Sequence, residues 1–146
     1  MEEKYTLSTV IRKIIEIEEK TAEFYEKASE EIKEERIRKI FSKFSKKNKE
    51  RIKTLEKTGR ETVLELALEP IVGLKLKDYL KQIENIISSK EKSYIEKAIM
   101  LEEKLNDIYK ETSNKIAYSS ADASILVGNF ATESIKRKKM LSELTS

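Results

Sequence analysis

The chain contains no histidine, no cysteine and no tryptophan, and only one proline and three glycines among its 146 residues. The missing histidine excludes the most. It removes the commonest metal ligand and the commonest general base near neutral pH, and with them His-based zinc catalysis and Ser-His-Asp chemistry. The missing cysteine removes disulfides and thiol chemistry and says little about compartment. So few turn residues disfavour a strand-rich fold. No stretch reaches 18 apolar residues, and the N-terminus shows no basic leader followed by an apolar segment, so the expectation is a soluble, cytoplasmic protein with no membrane association. The net charge of +3 is spread over interleaved lysines and glutamates, unlike the concentrated field of a dedicated nucleic-acid binder.

What remains is 39% charged and 38% hydrophobic residues in helical order, which predicts an all-α bundle forming one domain over 1–146. The abundance of Lys, Glu and Ile beside a single Gln82 fits a thermophile.

One stretch occurs twice. Ile17-Glu18-Glu19-Lys20 leads to Phe24-Tyr25, and 84 positions later Leu101-Glu102-Glu103-Lys104 leads to Ile108-Tyr109. In each copy a carboxylate stands where an oily residue belongs. The first apolar series runs Leu7, Ile11, Ile14, Glu18, Thr21, Tyr25, Ala28, Ile32, and the second Ile95, Ala98, Glu102, Leu105, Tyr109, Thr112, Ile116. Steps of three and four mark one helix face. A carboxylate on an inward face must be paired, metal-bound or protonated.

The spacing predicts a first helix from about Ser8 to Lys33, capped by Thr6 or Ser8, and a second from about Arg36 to Lys57 with Gly59 as its C-terminal cap. Residues 58–88 form a crossover. Glu69-Pro70 breaks it, Gly73 allows a bend, and short helical pieces are predicted at 61–68 and 76–87. The crossover is expected to let the third helix run parallel to the first. That helix is capped by Ser88 or Ser89 and continues to about Asn114. The turn Ala117-Tyr118-Ser119-Ser120 precedes a fourth helix with Asp122 in its first turn. The two hairpins therefore occupy about 8–57 and 89–145.

The second and fourth helices also repeat, 86 positions apart. Ile37, Phe41, Phe44, Asn48, Arg51, Leu55 matches Ala123, Val127, Phe130, Ser134, Arg137, Leu141. Each hairpin thus offers an inward Glu from its first helix and a small polar residue plus an Arg from its second. A register one position lower would turn Glu133 and Lys136 inward and set Asn129 opposite Phe44, which disfavours it.

This pattern resembles the rubrerythrin branch of the ferritin-like superfamily over nearly the whole chain. The resemblance rests on Glu-Glu-Lys with Phe24-Tyr25, on the matching Glu102–Tyr109 stretch, and on the Phe41/Phe44 and Val127/Phe130 spacing. It implies a ferritin-like four-helix bundle in which two helices each give a Glu and two each give a Glu-x-x-His pair to a di-iron centre, used in peroxide reduction, oxygen chemistry or iron storage. Here Glu18 and Glu102 are kept. The other pairs read Asn48-x-x-Arg51 and Ser134-x-x-Arg137, and the four cysteines of a rubredoxin-like iron domain are absent. The expectation is a bundle that has lost its di-iron site, with no cofactor and no catalytic residue. A Glu18/Arg51/Glu102/Arg137 salt-bridge cluster replaces the metal, with Asn48 and Ser134 taking the leftover hydrogen bonds. Tyr25 and Tyr109 support it as core aromatics with a polar tip.

The alternative is a carboxylate-only site for iron or manganese on Glu18, Glu102 and Glu133, with Glu19 or Glu103, serving a rubrerythrin-like oxidoreductase, peroxidase or iron-handling protein. A third reading uses the Lys39, Lys43, Lys46, Lys47, Lys49, Lys53 face and the basic Lys136–Lys139 run to meet an acidic protein, RNA or lipid headgroups. Interleaved aromatics are missing there, which disfavours nucleic acid. The resemblance implies a homodimer, which a Val10, Ile17, Phe24 stripe would permit, and an unidentified protein is the other expected partner.

Overall fold

The Thr6 hydroxyl accepts a hydrogen bond from the Thr9 amide at 3.1 Å and starts the first long helix. The computed structural model describes residues 3–63 and 70–145. A two-residue strand β1 (Lys4–Tyr5) precedes helix α1 (Leu7–Glu31), which a short connection joins to α2 (Glu35–Val63). Strand β2 (Ile71–Val72) and helix α3 (Leu76–Ser88) follow, then α4 (Tyr94–Ile116) and α5 (Ala121–Glu143). The molecule is an all-helical bundle with one small sheet, in which β1 pairs antiparallel with β2.

Each long helix buries the stripe that its periodicity marks. In α1 that stripe is Leu7, Ile11, Ile14, Glu18, Thr21, Tyr25 and Ala28. In α5 it is Ala123, Val127, Phe130, Ser134, Arg137 and Leu141. Helix α1 packs along α2 and α4 packs along α5, giving two antiparallel hairpins. Ser93 and Ser120 cap α4 and α5, accepting from the amides of Glu96 at 3.2 Å and Ala123 at 3.1 Å.

Several boundaries differ from expectation. Helix α2 does not stop near Lys57 but continues through Gly59 to Val63. Gly59 is therefore an interior helix residue and not a cap, and a Cβ there would meet the Ile11 side chain at an ordinary contact distance of 3.4 Å. Helix α4 begins after Ser93, not after Ser88 or Ser89, because α3 extends to Ser88 and a turn intervenes. The piece predicted at 76–87 is α3. The other predicted piece, 61–68, and the break at 69–70 fall largely outside the described residues. Gly73 does bend the chain, with φ of 86°, and a side chain there would press on Lys115 at 3.0 Å.

Helix direction is a further correction. Tyr25 meets Glu102, Glu18 meets Tyr109, and Tyr94 meets Glu31. Ascending α1 therefore means descending α4, so the two run antiparallel, not parallel. Helix α4 runs parallel to α2 instead. The hairpins are related by an approximate two-fold axis perpendicular to the bundle. Helix α3 lies against α1 and α4, and it buries Leu76 and Ile83. Val10, Ile17 and Phe24 are buried within the chain, so this stripe is not free to form a dimer face.

Candidate functional site: a buried glutamate, arginine and tyrosine cluster

Four helices send charged groups to the middle of the bundle. Glu18, Glu102, Asn48 and Ser134 are wholly inaccessible, and Arg51 and Arg137 are 3% and 5% exposed. The inward register is the one that faces Ser134 and Arg137 to the core.

Each arginine meets the glutamate of its own hairpin. Arg51 donates to Glu18 Oε1 at 3.3 Å, and Arg137 Nη1 lies 3.5 Å from Glu102 Oε2. Each tyrosine reaches the glutamate of the other hairpin. The Tyr25 hydroxyl donates to Glu102 Oε2 at 2.5 Å, and the Tyr109 hydroxyl to Glu18 Oε1 at 2.6 Å. The guanidinium groups also cross over. Arg51 sits 4.8 Å above the Phe130 ring, and Arg137 4.5 Å above Phe44. Such stacking offsets part of the cost of removing a guanidinium from water.

The halves differ at the rim. Arg51 gives a further hydrogen bond to Glu133, which lies at the edge of the core. Arg137 instead donates to the Phe44 carbonyl at 3.4 Å. Glu133 thus joins the cluster although its neighbour Ser134 holds the inward position. Glu18, Arg51, Glu102 and Arg137 form the buried ion cluster that the sequence indicates, but neither the part of Glu133 as a partner of Arg51 nor the tyrosine–glutamate exchange was anticipated. Each Tyr stands two turns from its own Glu, so the exchange follows once α1 and α4 are antiparallel, a direction the sequence did not show.

Asn48 and Ser134 behave differently from expectation. Neither side chain forms a hydrogen bond among the described residues, and Glu18 Oε2 and Glu102 Oε1 are also unpartnered. The tyrosine hydroxyls reach the carboxylates, while the short Asn and Ser side chains do not.

Burial pushes the Glu18 carboxyl above its ordinary range, with Arg51 and then the Tyr109 hydroxyl pulling the other way. Burial opposes the Arg51 charge, but Glu18 and then Glu133 more than offset it, so this guanidinium stays protonated. Burial first, then the facing carboxylates, raises the Tyr25 and Tyr109 hydroxyls well above their ordinary value of 10.0. Both tyrosines are therefore donors at any physiological pH.

A divalent cation does not fit these residues. The unpartnered buried atoms mix acceptors, Glu18 Oε2, Glu102 Oε1 and Asn48 Oδ1, with donors, Asn48 Nδ2 and Arg51 Nε. A hard cation needs acceptors alone. Glu18 and Glu133 share one guanidinium and Glu102 faces the other, so two fixed positive charges stand against the carboxylates. Among the described residues no three Asp or Glu side chains gather in a way that could hold a metal ion.

The lysine face of α2 is largely interleaved with acids. Lys39, Lys47 and Lys49 pair with Glu35, Glu50 and Glu26 at 3.1, 3.9 and 3.2 Å. Among the described residues no helix is long and apolar enough to cross a membrane. The chain matches no known family model, no curated protein and no solved structure.

Proposed function

We propose that this chain is a ferritin-like bundle, akin to rubrerythrin, that acts as a metal-free scaffold with a structural or interaction role. The observation that carries this reading is the pair of guanidinium groups on Glu18 and Glu102, where the resemblance would put two irons. The helix directions support it. Two antiparallel hairpins joined by one long crossover are the arrangement of ferritin-like bundles. An arginine keeps its charge throughout the physiological range, so the cluster resists a cation at every pH the protein meets.

A scaffold of this kind works through its surface. Pairing with a second copy belongs to the proposal, and the apolar side chains left exposed lie mostly on the second hairpin, at Met100, Ile125, Ile135 and Met140. The deciding experiment is elemental analysis of protein made in iron- and manganese-supplemented medium and purified without chelator, followed by anaerobic iron(II) titration and air exposure. The expected result is well under one equivalent of metal and no oxygen-dependent absorbance. One or two equivalents, lost in Glu18→Ala/Glu102→Ala, would overturn the proposal in favour of an iron or manganese protein.

A further inference from the structure

Away from the buried cluster, α1, the end of α3 and the start of α4 enclose a surface pocket of about 360 Å³. That volume lies in the range of small-molecule sites, roughly 300–1,000 Å³. Its apolar lining is Phe24, Ile87 and Tyr94, with the Phe24 and Tyr94 rings 6.2 Å apart and tilted. Phe24 is one of the residues by which the first hairpin departs from the repeat, since its counterpart is Ile108.

The lining also carries charges of both signs. Three lysines, Lys20, Lys27 and Lys97, face two glutamates, Glu23 and Glu84. Lys20 and Glu84 close on each other at 3.0 Å. Among the lining residues Lys97 and Lys27 are then set against Glu23, with Glu31 close by on the Tyr94 hydroxyl. Lys97 is held in place, because its ammonium lies 5.5 Å from the Tyr94 ring and donates to the Ile87 carbonyl at 3.1 Å. An ammonium has three donors, so two remain for a ligand.

We propose that this pocket binds a small amphiphilic monocarboxylate, with its alkyl or aryl body against Phe24, Ile87 and Tyr94 and its carboxylate at Lys27 and Lys97. The size, the apolar lining and the anchored Lys97 ammonium with two open donors all match such a molecule. A neutral amphiphile gives the Lys97 donors no charged acceptor, and a cationic one is repelled by the ammonium. The site is independent of the Glu/Arg cluster, and its occupancy does not depend on whether metal is present.

The test is a titration of the full chain with decanoate below its micelle concentration, followed by amide chemical shifts, with decylamine as control. Saturable shifts confined to residues 20–27, 84–88 and 94–97, absent with decylamine, are expected. Lys27→Glu, an exposed substitution that leaves the fold intact, weakens decanoate binding by about tenfold, the equivalent of roughly 1.4 kcal/mol. Lack of saturation, shifts spread over the exposed apolar side chains of α5, an equal response to decylamine, or unchanged affinity in Lys27→Glu would each overturn the proposal.

Discussion

Arg51 and Arg137 occupy equivalent positions in the two hairpins, yet Arg51 serves two carboxylates and Arg137 serves one. The difference originates outside the inner ring. The position that holds Glu133 in the second hairpin holds Lys47 in the first, and Lys47 turns outward to Glu50. With no second carboxylate in reach, Arg137 takes the Phe44 carbonyl instead. The repeat therefore fixes the inner Glu, Arg and Tyr of each half, while a single rim residue decides how firmly each guanidinium is held.

This comparison is tested most severely by deleting each arginine in turn. Removing one partner of a buried ion pair costs about 3–5 kcal/mol, because the other charge is left buried. Arg51→Leu falls in that range, and Arg137→Leu costs less because its ion pair is longer and already looser. Urea unfolding of the two variants measures the difference, and equal losses would mean that Glu133 contributes nothing. Replacing both pairs together (Glu18→Leu, Arg51→Met, Glu102→Leu, Arg137→Met, with Tyr25→Phe and Tyr109→Phe) is expected to be far milder than either single deletion, since apolar replacement of a whole buried ion cluster is often neutral.

The tyrosines come next. Each donates to a carboxylate, so Tyr25→Phe and Tyr109→Phe should each cost about 1.5–3 kcal/mol in thermal or urea unfolding. Their pKa values are raised on folding, so their contribution is complete below pH 10 and is lost as pH rises towards the folded-state values. Above pH 10 the wild type therefore loses stability more steeply than the double Tyr→Phe variant. The difference approaches about 1.4 kcal/mol per pH unit for each hydroxyl. Parallel stability profiles above pH 10 would show that the two hydroxyls titrate alike in the folded and unfolded chains.

The smallest effect belongs to the rim. Glu133 is 37% exposed in its side chain, so Glu133→Gln costs at most about 1 kcal/mol. The same substitution should bring the cost of Arg51→Leu close to that of Arg137→Leu. A double-mutant cycle between positions 51 and 133 reads this directly.

The inner residues were legible in the sequence because a charge in an apolar helical stripe stands out against its period. The stripes of all four long helices follow from that period. The caps were narrowed by residue type to Thr6 or Ser8 and to Ser119 or Ser120, of which Thr6 and Ser120 are used. The inward register of Ser134 and Arg137 came from matching the two hairpins. The direction of α4 did not follow, since a helical stripe looks the same for either orientation. The β1–β2 pairing was missed because two residues are too few to show alternation. Asn48 was assigned a hydrogen-bonding part on residue type, but partners depend on side-chain reach, which spacing does not report. Gly59 was taken for a stop signal, whereas it lies inside α2, which runs on to Val63.

The perpendicular two-fold relation between the hairpins has a consequence for how the molecule holds together. Neither hairpin can satisfy its own glutamate fully, because the hydroxyl that Glu18 needs is on α4 and the one that Glu102 needs is on α1. Each guanidinium likewise stacks on a ring supplied by the other hairpin. The contact is self-complementary in the manner of an isologous dimer, folded into one polypeptide. A chain cut within the crossover would still carry this recognition on the inner faces of its hairpins, beside the contacts that β2 and α3 make with β1, α1 and α4.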